Sequence, residues 1–428
     1  MDSSTIMIIS SLISLIFFIL GVPIFLVIGL WVAGVSIAID FTLSNISSTL
    51  FEGLNFFGLL ALPLFILTGD LIKHAGIAKK LADFAYACVG NIRGGMGMSA
   101  ITSSGLFAAI SGSNAGTTAT IGSIMYPEMT KNGYSKTFSA ATIAAGGTVG
   151  IIIPPSIIFI VYGLLLDLSI SELFVGGMIP GLLMVFAMQF TCYYVSKKNN
   201  YGKFIDFDIR RIGKTAVAAY LGFLAIFIVV YGIYSGLFSP TEAASITVGF
   251  SILAGMLITR TIKIKDIPNI LMKSGQINGM LTPLVAISIV MQQILSILGA
   301  QEFISTLISG LNNPTVILLA CMLLVLLAGT VLESLPNTII LAPILAPIAY
   351  TAGVDPIHFA VIFLIGDAIG FITPPYGLNL YVASALTGIP YFEIVKQVLP
   401  YLFGLTIVWL LVAFIPSLSK FLVQFSGV

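Results

Sequence analysis

Apolar residues in this chain recur in unbroken runs of about 20, hydrophobic on every side, instead of alternating as in a half-buried strand. Polar residues punctuate those runs in a definite order. Residues 5–40 are too long for one span and are cut at Gly21 and Pro23, which predicts two short helices over 5–20 and 22–39. The stretch Asp40–Asn55 reads as a loop carrying Asp40 and Glu52 but no lysine or arginine. A third span is expected over 56–73, followed by a basic stretch with Lys73, Lys79 and Lys80. Residues 96–130 have a polar centre, Ser111-Gly112-Ser113-Asn114-Ala115-Gly116-Thr117-Thr118, between two half-length arms. That pattern predicts a re-entrant hairpin, not a full crossing.

Two later segments break inside apolar surroundings. Gly146-Gly147-Thr148-Val149-Gly150-Ile151-Ile152-Ile153-Pro154-Pro155 predicts a broken helix over 137–163, and Gly366-Asp367-Ala368-Ile369-Gly370-Phe371-Ile372-Thr373-Pro374-Pro375 predicts another over 357–385. Proline removes a backbone donor and clashes with the preceding turn, and freed backbone groups at membrane depth must be buried in protein or line a wet cavity. A closing span at 172–196 follows the first break, and one at 396–418 follows the second. Between them lie a basic stretch at 197–214, spans at 215–235, 241–259 and 276–298, and a second hairpin at 314–350 centred on Leu332–Thr338.

The two series are one pattern written twice. A shift of 220 residues carries Pro63 onto Pro283, Thr118 onto Thr338, Pro127 onto Pro347, Gly146 onto Gly366, Gly150 onto Gly370, and Pro154-Pro155 onto Pro374-Pro375. The chain therefore divides into a first repeat (1–196), a basic cytoplasmic linker (197–214) and a second repeat (215–428). Each repeat holds three spans, a hairpin, a broken span and a closing span. Five full crossings is an odd number, so the repeats insert in opposite orientations. The expected fold is an all-α polytopic membrane protein, an inverted-repeat transporter with two re-entrant hairpins and two broken helices.

Charge sharpens this map. With the 197–214 linker in the cytoplasm, 17 of the 18 Lys and Arg fall on the cytoplasmic side and only Lys420 falls outside. The outer loops hold Asp40, Glu52, Asp167, Glu302 and Asp355, and both termini are expected to be periplasmic. Asp2 precedes the first apolar run without a basic leader, which reads as a retained span.

Composition narrows the classes. Of 428 residues 58% are hydrophobic and 8% charged, with mean hydropathy +1.10. A soluble domain carries about a quarter charged residues, so the solvent here is lipid. A net charge of +1 gives nucleic acid nothing to bind. Cys88, Cys192 and Cys321 have no metal-ligand spacing and read as small core residues. No P-loop is present, and His74 and His358 sit near span ends and form no site, so an enzyme is not expected.

The candidate chemistry is binding. Ser103, Ser104, Ser111, Ser113, Asn114, Thr117 and Thr118 in the first half, and Ser334, Asn337, Thr338 and Thr373 in the second, offer oxygens beside the hairpin centres and breaks. Helix N-termini suit an anion, and carbonyls freed by a break suit a hard cation. Glu333 and Asp367 are carboxylates at depth, candidates for cation ligands or proton carriers. Asp70, near a helix end, reads as a partner of nearby lysines.

Ser111–Thr118, Gly150-Ile151-Ile152-Ile153-Pro154-Pro155-Ser156, Phe238-Ser239-Pro240-Thr241-Glu242-Ala243-Ala244 and the Gly370–Pro375 copy resemble the large membrane subunit of a TRAP (tripartite ATP-independent periplasmic) transporter. The resemblance covers essentially the whole chain. It implies an elevator-type sodium symporter in the bacterial inner membrane, with sodium as coupling ion and no cofactor. Its partners would be a separate small four-helix membrane subunit and a periplasmic substrate-binding protein that delivers an organic anion. Sialic acid is the favoured substrate and C4-dicarboxylates come next. The resemblance further implies one sodium site at Ser103, Ser104, Gly146, Gly147, Val149 and Pro154. A second is implied at Gly329, Thr330, Gly366, Asp367, Ile369 and Thr373. Substrate would meet Ser111, Ser113, Asn114, Thr118, Ser334, Asn337 and Thr338. The shift sets Asn114 opposite Ser334 and Gly147 opposite Asp367, so the two cation sites are expected to be unequal. The rival readings are a binding-protein-independent elevator carboxylate transporter or exchanger, an ion channel, and an intramembrane hydrolase using Ser111 or Ser113.

Overall fold

Glycine, proline and hydroxyl caps decide where the helices stop. The computed structural model describes residues 3–55, 57–203, 206–309 and 313–425, and Asp2 lies outside them. Among the described residues all regular structure is helical. The first half begins with α1 (Ser3–Ile19), α2 (Ile24–Ala38), α3 (Leu43–Leu54), α4 (Ala61–His74) and α5 (Ile77–Val89). Then come the hairpin arms α6 (Gly95–Ser111) and α7 (Asn114–Lys131), the broken pair α8 (Lys136–Gly147) and α9 (Ile157–Leu166), and α10 (Ile170–Asn199). The second half begins with α11 (Ile209–Ala218), α12 (Tyr220–Tyr234), α13 (Pro240–Leu253), α14 (Ile267–Ile297) and α15 (Ala300–Ser309). It continues with the arms α16 (Pro314–Gly329) and α17 (Ser334–Thr351), the broken pair α18 (Pro356–Gly370) and α19 (Leu378–Thr387), then α20 (Tyr391–Phe414) and a short α21 (Ser417–Lys420).

Element bounds follow the 220-residue shift. Residues 114–131 of α7 become 334–351, the bounds of α17, and the start of α8 at 136 becomes 356, the start of α18. Helical hairpins form from α6–α7 and from α16–α17, and the helices interrupted at the two Gly…Pro-Pro stretches are α8–α9 and α18–α19. The first hairpin turns on Gly112, whose φ of +60° closes α6 in a left-handed cap. Ser113 then caps α7 by accepting from the Gly116 N–H at 3.2 Å. In the first break α8 tightens into a 3-10 turn over Thr148–Ile151, and Ser156 restarts the chain as the N-cap of α9. In the second break Gly377, at φ +56°, precedes α19. The Pro154-Pro155 and Pro374-Pro375 bonds are both cis.

Four helices lie where the sequence suggested loops or a linker. These are α3 within Asp40–Asn55, α5 after the basic Lys73, α11 across the end of the 197–214 stretch, and α15 beyond Gly299. Helices α3 and α11 bury no residue. Each is apolar on one face only, so a search for continuous apolar runs passes over them. Helix α11 carries Arg210, Arg211 and Lys214 and meets α12 at 64°.

Burial separates the inside from a lipid-facing shell. Every residue from Phe138 to Gly147 in α8 and from Ile357 to Gly370 in α18 is buried. Along α1, by contrast, Ile8, Leu12, Leu15, Ile16 and Ile19 are exposed, as are Phe186 and Phe190 on α10 and Phe403 on α20. Such a surface is stable in hydrocarbon and not in water. A smaller core forms where Ile28, Val32 and Val35 of α2 meet Leu284, Val290 and Ile294 of α14. Five described helices are long and apolar enough to cross a membrane. One of them, Ser334–Thr351, is 72% buried in its apolar window and forms a hairpin arm, so length alone does not make it a crossing.

Candidate functional site

The two hairpin tips meet at one cavity of about 360 Å³. Ser111, Ser113 and Asn114 line it from the first hairpin, Glu333 and Ser334 from the second, and Phe107 and Phe371 supply apolar wall. Helices α7 and α17 both begin at this cavity, so each presents first-turn N–H groups and a positive dipole end to it. Asn114 is 3% exposed, yet neither its Oδ1 nor its Nδ2 has a hydrogen-bond partner. The Ser334 hydroxyl is likewise buried and unpaired. Buried polar groups are nearly always satisfied, so unpaired ones at a cavity wall point to a ligand.

Asp70 also lines the cavity. Its carboxylate accepts from the Ser274 hydroxyl at 2.7 Å and so faces α14, not the lysines of its own helix end. The packing of α4 on α14 sets this direction, and the sequence expectation for Asp70 is corrected accordingly.

The expected substrate residues separate into two groups. Ser111, Ser113, Asn114 and Ser334 line the cavity, whereas Thr118, Asn337 and Thr338 do not. The latter lie about one turn further along α7 and α17, where Thr118 and Asn337 meet the breaks. Thr118 donates to the Asn114 carbonyl at 2.9 Å and is the atom a Cβ at Gly147 would strike. Asn337 donates through Nδ2 to Asp367 Oδ1 at 2.6 Å.

At the first break, Ser103 and Ser104 are buried and donate to Ser99 and Ala100 carbonyls at 2.6 and 3.0 Å. Their protons are committed to their own helix, which leaves oxygen lone pairs free. Ser104 Oγ would be 2.8 Å from a Cβ at Gly146, so hairpin and break touch there. Gly150 packs directly on hairpin backbone, and an added Cβ there would strike the Ser113 carbonyl oxygen. The Val149 carbonyl accepts from both Ile152 and Ile153 N–H groups, at 3.1 and 3.0 Å, and has little capacity left. Pro154 is buried in the turn.

At the second break, a Cβ on Gly329 would sit 3.1 Å from Asp367 Oδ1, and one on Gly370 would sit 2.6 Å from the Gly329 carbonyl oxygen. The Thr330 carbonyl accepts from the Tyr376 N–H at 3.2 Å, tying hairpin to break. Thr373 donates to the Ile369 carbonyl at 2.8 Å, and that carbonyl also accepts the Ile372 N–H. Gly366 faces the other way, and its small size admits the Trp409 ring. Asp367 is fully buried, and its Oδ2, Asn337 Oδ1 and Thr338 Oγ1 have no partner. The ion pairs found among the described residues, Lys131–Glu128 and Lys420–Asp355, do not involve Asp367. An ionised carboxylate buried without a counter-charge costs several kcal/mol, roughly what a bound cation would offset. Oxygen donors without nitrogen or sulfur suit a hard cation. Among the described residues no three His, Cys, Asp or Glu side chains gather as a transition metal would need.

Gly150 and Gly370 were read from the sequence as parts of the two breaks and not as site residues, and Asn379 was not singled out at all. Asn379 is fully buried and donates to the Ala144 carbonyl across the two halves at 3.1 Å. A lone amide in an apolar stretch after a break was the available signal. The 220-residue shift hid it, because the opposite position is Phe159.

The family described as the DctM component of the tripartite ATP-independent periplasmic transporter matches residues 7–418. A C4-dicarboxylate TRAP transporter large permease protein from Pseudomonas aeruginosa is 36% identical over 384 residues, covering 90% of each chain. A sialic acid TRAP transporter large permease protein from Vibrio cholerae is 34% identical over 375 residues, covering 86% of this chain and 87% of its own. Among solved structures, the YdaH transporter of Alcanivorax borkumensis aligns with a TM-score of 0.60 over 87% of this chain and 89% of its own. At 14% identity that likeness speaks for the fold alone.

Proposed function

The chain belongs to the DctM component family of tripartite ATP-independent periplasmic transporters, and we propose that it imports an organic acid anion together with sodium. It is a multi-pass inner-membrane permease subunit and not an enzyme. Its working partners are a small four-helix membrane subunit and a periplasmic binding protein that hands over the substrate.

One observation carries this reading. Both hairpin tips border a single cavity, with two helix N-termini and the unpaired Asn114 and Ser334 at its wall. The cavity lining contains Glu333 and Asp70 but no lysine or arginine. An anion there is held by helix ends, hydroxyls and nearby cations, which supports binding substrate and sodium together. The unpaired oxygens around Asp367 support the second cation site. Around the first, Ser104, Gly146, Gly147 and Thr118 come together. Two hairpin and break units moving as one body past the α2–α14 packing give an elevator movement. Lys420 bonds Asp355, and both were assigned to the outer face, which supports periplasmic termini. Relatives are named for C4-dicarboxylates and for sialic acid, so these two anions are the substrates to test first.

The test is uptake of labelled sialic acid and C4-dicarboxylate into proteoliposomes holding both membrane subunits, with and without binding protein and a sodium gradient. Sodium-driven uptake that needs the binding protein is expected. Uptake indifferent to sodium and driven by a pH gradient would overturn the coupling. Uptake without the binding protein would favour an autonomous carboxylate transporter, and conductance without saturation a channel.

A further inference from the structure

Asn379 occupies an unusual position relative to the repeat. It lies in the first turn of α19, directly after the second break, and its backbone N–H bonds the Phe371 carbonyl inside that break at 3.1 Å. Its side chain reaches the other half of the molecule. Nδ2 donates to the Ala144 carbonyl at 3.1 Å, one turn before the first break ends.

That carbonyl needs a donor for a definite reason. In an α-helix the Thr148 N–H would bond Ala144, four residues back. Here α8 tightens into a 3-10 turn, and the Thr148 N–H bonds Ala145 instead. The tightening that builds the first break therefore frees the Ala144 carbonyl, and Asn379 caps it. The fit depends on glycine, since a Cβ on Gly147 would lie 3.0 Å from Asn379 Nδ2 and strike Thr118 Oγ1.

The repeat does not reciprocate. Phe159 stands opposite Asn379 and is a fully buried apolar side chain. Where the second half has its own Asp367, the first half has Gly147 and borrows an amide from across the molecule. Asn379 Oδ1 is itself buried without a partner.

We propose that Asn379 is a positioning residue that couples the two breaks, so that a cation ordering the first raises the affinity of the second. This rests on the two-cation reading above. A cation at the first break fixes the 3-10 turn and with it the Ala144 carbonyl. Asn379 is then held, and with it the Phe371 carbonyl of the second break. Both sites bias one residue, which is the physical requirement for coupling between them.

The experiment is a sodium titration of the full chain in detergent, with choline chloride holding ionic strength constant, read by melting temperature and repeated as sodium-driven uptake. Wild type is expected to respond with a Hill coefficient above 1, bounded by the two sites. Asn379→Leu is expected to respond with a coefficient of about 1 and a half-saturating sodium concentration raised about tenfold. A purely structural role would lower the melting temperature at every sodium concentration and leave the Hill coefficient alone, and that result overturns the proposal. A wild-type coefficient of 1 overturns it too. Should the leucine variant fail to fold, Asn379→Ser leaves room for water at Ala144 and reads the same quantity. A wild type blind to sodium in both assays would instead remove the two-cation reading itself.

Discussion

Asn337 on the second hairpin donates to Asp367 on the second broken helix at 2.6 Å, and both side chains are fully buried. The bond satisfies one carboxylate oxygen and leaves Oδ2 unpaired, and the Oδ1 of the same Asn337 amide is unpaired as well. Among the described residues, this half-satisfied carboxylate at the meeting point of two helices is the observation that supports the second cation site proposed above.

Replacing Asp367 by asparagine separates stability from binding. The charge whose burial costs several kcal/mol disappears, so the sodium-free protein should be as stable as wild type or more so. A ligand at about a hundred times its dissociation constant stabilises by about 2.7 kcal/mol. Sodium should therefore raise the melting temperature of wild type and barely move that of Asp367→Asn. The half-saturating sodium concentration for uptake should rise at least about tenfold, or about 1.4 kcal/mol. An unchanged sodium response in the variant would remove Asp367 from the cation site.

Close backbone approach makes a second prediction. Gly370→Ala drives a methyl group onto the Gly329 backbone, 2.5 Å from its carbonyl carbon, where nothing flexible can yield. Overpacking of this kind costs about 1–3 kcal/mol. Gly249 and Gly275, in α13 and α14, have nothing within 4 Å of an added Cβ, and alanine there should be neutral or stabilise by about 0.5–1 kcal/mol. Melting temperatures of the three variants decide it. If Gly370→Ala matches the other two, the hairpin and break are not in contact in the working protein.

How far the sequence could be read follows from these same residues. The breaks and hairpins were legible because glycine and proline in an apolar run leave backbone groups that lipid cannot satisfy. The 220-residue shift then located each pair. Direction was not legible. Gly366 and Gly370 are one turn apart and equally suggestive, yet Gly366 faces Trp409 and Gly370 faces the hairpin. Thr118 and Asn114 share a polar motif, yet only Asn114 reaches the cavity. The Asn379–Ala144 bond joins residues 235 apart and has no counterpart under the shift. Helices α3 and α11 were missed because their apolar residues form a stripe, not a run.

Two neighbours at the first hairpin tip should behave differently when shortened. Ser113 caps α7, so Ser113→Ala should cost about 1 kcal/mol of stability along with any loss of transport. Asn114 makes no side-chain hydrogen bond, so Asn114→Ala removes only an unsatisfied buried amide and should leave the melting temperature unchanged or raised. Its uptake should nevertheless fall by at least about tenfold, since binding groups fixed by the fold act on the ligand alone. Equal uptake for wild type and Asn114→Ala would mean that the amide faces no substrate.

Outside the membrane-spanning segments, Asp355 caps α18 at the His358 N–H and accepts from Lys420 at 2.6 Å. Burial works to raise its pKa, but the bonds from Lys420 and the His358 N–H outweigh it and hold the carboxylate below its ordinary range. A depressed folded-state pKa contributes stability that is present above the unfolded value, near 3.9, and lost as pH falls through the folded value. The side chains are 37% and 33% exposed, so solvent screening keeps the pair to at most about 1 kcal/mol. Lys420→Gln should thus lower the melting temperature slightly at pH 7, and the gap from wild type should close as pH drops below about 4. High salt should narrow the same gap at pH 7, because ions screen exposed pairs. A gap that persists at low pH would assign the effect to packing of α21, whose Ser419 bonds His358 at 2.7 Å, and not to the charge pair.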